Sequence, residues 1–126
     1  MITEELPVFR PLYMLMSYID DVTVSMPKSR KHTMGDELRR LTIGAMRSLY
    51  RANGAVSNPR VRVEAQEEMI YQLGTVRTLV RMCNEKKILS FSQVERITRH
   101  LDNIGRQVTA WRQKSAQKLS SQNARV

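Results

Sequence analysis

This sequence of 126 residues has one cysteine, Cys83, so it cannot close a disulfide within itself. His32 and His100 are the only histidines, and no spacing of these residues resembles a structural zinc site. Five glycines and four prolines are too few for the frequent turns of a β-sandwich or barrel, which moves the expectation to helix. There is no glycine-rich phosphate loop, and no serine or cysteine stands at a recognisable nucleophile spacing. The neighbouring acids Asp20-Asp21 and Glu67-Glu68 diverge on a helix and cannot share a substrate. The expectation is a noncatalytic protein with no metal and no cofactor. The apolar run Leu12 to Ile19 is too short to span a bilayer, and Glu4 and Glu5 stand where a secretory signal carries positive charge. A cytoplasmic protein without membrane contact is expected.

The chain does have enough apolar material for one core and an excess of positive charge. Hydrophobic residues make up 41% of it, and its length suits one domain. The 21 Lys and Arg outnumber the 12 Asp and Glu to give +9, so polyanions are the natural partners, nucleic acid first, with an acidic protein or a membrane surface behind it.

Apolar spacing predicts four helices. Leu12, Leu15, Met16, Ile19, Val22 and Met26 recur at three and four, and Pro27 stops the pattern. A second helix begins after Thr33, read as its cap, with Asp36 and Glu37 in the first turn and Met34, Leu38, Leu41, Ala45, Leu49 and Ala52 on its core face. Asn53-Gly54 is read as its left-handed end. Asn58 caps a third helix with Pro59 at its first position, and this helix buries Ala65, Met69, Leu73, Val76, Val80 and Cys83. The fourth opens on a Ser90/Gln93 capping box and continues through Val94, Ile97, Leu101, Ile104, Val108 and Trp111. Short connections favour antiparallel neighbours, so the expected fold is an all-α, up-down-up-down four-helix bundle over residues 1–115. Residues 116–126 lack an apolar stripe and are expected to be a disordered basic tail.

Net charge is 0 for residues 1–33, +2 for 34–54, +2 for 55–89 and +5 for 90–126. It is most ordered on the second helix, where Arg40, Arg47 and Arg51 project from one strip opposite the core with no acid between them. Arg99 and Arg106, with Arg96 and Lys114, repeat the arrangement on the fourth. Arginine forks onto phosphate oxygens, so both strips are candidate phosphate contacts, although charged residues also cover any bundle's solvent face. Off the core stripes, Ile43, Met46, Tyr50, Ile70 and Tyr71 supply more apolar surface than one bundle consumes, a candidate interface between copies of the chain. Tyr13, Tyr18 and Trp111 fit core or interface aromatics better than base-stacking platforms.

The stretch MPKSRKHTMGDELRRL, with its proline, lysine and serine ahead of a basic turn and Gly35 behind it, resembles a family of small bacterial four-helix bundles. That family includes the proteins encoded in 23S ribosomal RNA intervening sequences and the accessory variability determinant (Avd) of diversity-generating retroelements. LSFSQVERITRHLDNIGRQVTAWRQK, a serine-capped last helix with an Ile-Gly followed by a tryptophan, is similar to the same family, and the resemblance spans roughly residues 8 to 115. It implies a homopentameric barrel of bundles. In the Avd branch, which the strong positive charge favours, it implies a partner reverse transcriptase and binding of RNA and DNA in support of mutagenic copying. By matching positions it makes Lys28, Arg30 and Lys31 a candidate contact set. Two other readings stay open, the ribosomal intervening-sequence branch and an oligomeric protein-interaction module whose basic surface meets an acidic partner.

Overall fold

A computed structural model describes residues 1–124. Its four long helices are α1 (Phe9–Val24), α2 (Asp36–Gly54), α3 (Pro59–Glu85) and α4 (Phe91–Ala124), and there is no β-strand among the described residues. Each helix packs on two others, α1 with α2, α2 with α3, α3 with α4, and α4 back on α1. Side chains that bridge them fix the directions. Asp20 near the end of α1 meets Arg39 near the start of α2, while Asn53 at the far end of α2 reaches Met1 and Thr3. Arg62 reaches back to Ala52, Gln66 to Ser115, and Arg77 to Asp102. Every sequential pair is therefore antiparallel, the expected four-helix bundle.

The helical periodicity places Leu12, Leu15, Ile19, Leu38, Leu49, Met69, Val76, Val80, Ile97, Ile104 and Val108 in the interior, all fully buried or nearly so. Burying a side chain of this size stabilises the fold by roughly 1.5–3 kcal/mol, so four such stripes outweigh any surface pair. Met34, Val94 and Trp111 are half-buried against this core, and Met16 is the expected core residue that lies outside it. It is half-buried and lines an open groove between α1 and α2, because it stands one residue past Leu15 and points off the core axis.

Helix ends follow the sequence at two places and depart from it at three. Asn58 Oδ1 accepts from Val61 N, and Ser90 and Gln93 form the reciprocal box, with Ser90 N donating to Gln93 Oε1 at 2.9 Å and Gln93 N to Ser90 Oγ at 3.2 Å. Thr33 does not cap α2. Residues Lys28–Arg30 form one helical turn and Lys31–Gly35 a wide π turn that runs straight into Asp36, so the Thr33 hydroxyl donates instead to Arg30 O. Gly35 is buried where this turn crosses α1, and a Cβ there would collide with the Thr23 methyl group. At the other end of α2, neither Asn53 nor Gly54 takes a left-handed conformation. Arg62 of α3 satisfies that terminus instead, donating from Nε to Ala52 O at 3.0 Å and from Nη2 to Asn53 O at 3.3 Å, with its guanidinium over the Trp111 ring. The third departure is α4, which continues to Ala124 through most of the expected tail; Arg125 and Val126 lie outside the described residues. Ser115 is the last buried residue among the described residues, but no glycine or proline follows it, and Ala116, Gln117, Lys118 and Leu119 favour helix, so the helix propagates past Ser115.

Candidate nucleic-acid interface

Arg40, Arg47 and Arg51 lie one or two turns apart on the outer face of α2, as their spacing requires. They edge an open groove of about 500 Å³ between α2 and α3. Across it α3 contributes Glu68, Tyr71, Gln72 and Thr75. Ser48 Oγ donates to Gln72 Oε1 at 3.0 Å across the groove, and Gly44 makes room for the Gln72 amide, since a Cβ there would sit 2.8 Å from Gln72 Nε2.

No acid stands between the three along α2, but acids flank the strip at both ends. Glu37, one turn before Arg40, accepts its Nε at 3.0 Å, and the Arg40 hydrogen bond holds the Glu37 carboxyl below the usual carboxylate range. Arg51 stands 3.8 Å from Glu64 of α3. Arg47, between them, has no ion-pair partner among the described residues. These pairs are exposed and therefore weak, so an incoming phosphate can compete for both outer arginines.

The other expected contacts are not gathered into this groove. Lys28 and Arg30 are exposed and Lys31 is half-buried in the turn at the end of the bundle where α1 stops and α2 starts. Arg99 and Arg106 are exposed on α4, Arg99 beside Glu95 at 3.8 Å. Because α4 packs on α1 and α3 while α2 stands at the opposite corner, the α4 strip faces away from the α2 strip. Arg96 is committed elsewhere, its guanidinium 4.1 Å from the centre of the Tyr18 ring. Burial, with Arg96 and Arg99 adding to it, holds His100 below its ordinary value, so this histidine adds no charge at neutral pH.

The five residues expected at an interface also divide. Ile43 is exposed and lines the groove between α1 and α2 with Tyr13 and Met16, and Tyr50, exposed, follows seven residues on along the same face of α2. Met46 and Ile70 are half-buried against the core. Tyr71, 67% exposed, stands in the arginine groove instead. Sequence reasoning missed that Gly44, Ser48, Gln72 and Thr75 shape this groove. The available signal was Gly44, since glycine in mid-helix costs about 1 kcal/mol relative to alanine and therefore marks a place where a side chain is unwelcome.

Fold and site together define a class: an all-α bundle with an arginine-edged groove on one flank. The sequence pattern of the bAvd-like family matches residues 8–115, and the chain belongs to that family, which makes it an Avd-type accessory protein. No protein of curated function matches the chain. No helix among the described residues is long and apolar enough to cross a membrane.

Proposed function

We propose that this protein is a noncatalytic accessory factor of a diversity-generating retroelement, working in the cytoplasm as a homopentamer that holds RNA and DNA near a reverse transcriptase. The observation that carries the nucleic-acid part is the α2–α3 groove with Arg40, Arg47 and Arg51 along one edge, on a chain of net charge +9. Family membership supports the polymerase as partner. Contacts of this kind position a phosphate backbone and do not read sequence. The apolar groove of Tyr13, Met16 and Ile43 on the other flank of α2 supports assembly, and assembly would multiply a weak basic strip into an avid one.

Binding of labelled RNA across a salt series tests the reading. Each phosphate contact adds about 0.7 to the log-log slope for a single strand and about 0.9 for a duplex. A slope of about 2 or more, lost on replacing Arg40, Arg47 and Arg51 by glutamate, is the expected result. Negligible binding at low salt by the folded protein, together with nuclease-resistant capture of an acidic partner, would support the protein-interaction reading.

A further inference from the structure

The two walls of the α2–α3 groove differ in chemistry. The α2 wall is cationic, with Arg40, Arg47 and Arg51 along it. The α3 wall carries no cation in the groove; it presents the Tyr71 ring, the Gln72 amide, the Thr75 hydroxyl and the Glu68 carboxylate. Resting on the nucleic-acid reading, we infer that this groove takes a single strand, its phosphates on the α2 arginines and one unstacked base on Tyr71.

Glu68, with Glu64 beside Arg51, repels phosphate from the α3 side and confines the backbone to the α2 wall. A strand lying there turns its bases toward α3. Tyr71 is 67% exposed, so its ring is accessible to a base at that position. The Ser48 hydroxyl occupies Gln72 Oε1, while Gln72 Nε2, lying against Gly44, makes no hydrogen bond among the described residues and remains an unused donor in the groove lining. Along α2, Arg47 and Arg51 are separated by about 6 Å of helix rise and Arg40 and Arg47 by about 10 Å, so the three can engage different phosphates of one extended strand. A duplex keeps its bases stacked and offers only their edges in its grooves, so it can lie across the arginines but has no base face to stack on Tyr71. A cationic track beside an aromatic face is the arrangement that holds single strands without sequence preference.

The test compares a labelled single-stranded RNA with the same sequence annealed to its complement, by fluorescence anisotropy, while light scattering follows assembly size. Tyr71→Ala should weaken single-strand binding by about 5- to 150-fold, leave duplex binding within about twofold of the wild type, and leave assembly size unchanged. Tyr71→Phe should restore the single-strand affinity. Equal loss on both ligands, no loss on either, or a loss that accompanies a smaller assembly would overturn the inference, the last by making Tyr71 a contact between subunits. If Arg47→Glu weakens binding while Tyr71→Ala does not, the groove inference fails and the nucleic-acid reading stands. If the wild type binds neither ligand, both fail.

Discussion

The two flanks of α2 share one helix and differ in almost everything else. Toward α3 lies the groove of arginines, with a tyrosine and an amide opposite; toward α1 lies a smaller groove of about 320 Å³ lined by Tyr13, Met16, Thr42 and Ile43, with Asp20 and Arg39 paired at its edge. On the polar flank Arg40 pairs with Glu37 of its own helix, Arg51 stands 3.8 Å from Glu64 and Arg47 has no ion-pair partner among the described residues, whereas on the apolar flank the single arginine is tied to Asp20 at 3.0 Å and to Asp36 at 3.4 Å. One helix thus divides a surface suited to a polyanion from a surface suited to another protein. The spacing of arginines along α2 states only half of this, because the acids that meet Arg39 and Arg51 across the flanks, Asp20 and Glu64, come from α1 and α3.

Charge reversal at Arg40, Arg47 and Arg51 together should have the largest effect, at least about 100-fold on RNA binding, with unchanged helicity by circular dichroism and unchanged assembly. Ile43→Asp attacks the opposite flank. It should reduce assembly size by light scattering and lower affinity for a long RNA by about 100-fold through lost avidity, while binding of an oligonucleotide that occupies one subunit stays near wild type. If Ile43→Asp instead weakens the short ligand as strongly, the two flanks are not separable. Gly35→Ala should disturb both alike, because displacing Thr23 moves the head of α2; a loss of about 1–3 kcal/mol is expected in urea unfolding. Lys87→Gly is the smallest change and the control for neither flank. Lys87 has φ of 59° where the chain leaves α3, and glycine there should stabilise by up to about 1 kcal/mol without affecting binding or assembly.

Much of the bundle could be read from its periodicity, since the spacing of Leu12, Leu15 and Ile19 or of Ile97, Leu101 and Ile104 admits burial on only one face. The caps at Asn58 and Ser90 were equally legible because their partners lie three residues away. The end of α2 was not, because its partner, Arg62, belongs to another helix and local residues do not announce it. Lys31–Gly35 was unreadable for a related reason: the π turn exists to carry Gly35 past Thr23, a contact between segments distant in the sequence. The candidate site divides the same way. The arginine strip follows from helix geometry, while Tyr71 joins it only through the packing of α3 on α2, which placed it in the arginine groove and apart from the expected companions Ile43 and Tyr50.

Cys83 gives the chain a built-in clock. It is fully buried near the end of α3, burial pushes its thiol above the ordinary value, and the charge of Arg30 in the basic turn pulls weakly the other way. No other thiol competes with it. A thiol reagent can therefore modify the native protein no faster than that end of the bundle opens, so the labelling rate at saturating reagent reports the lifetime of the closed state there, with and without RNA, and needs no engineered probe.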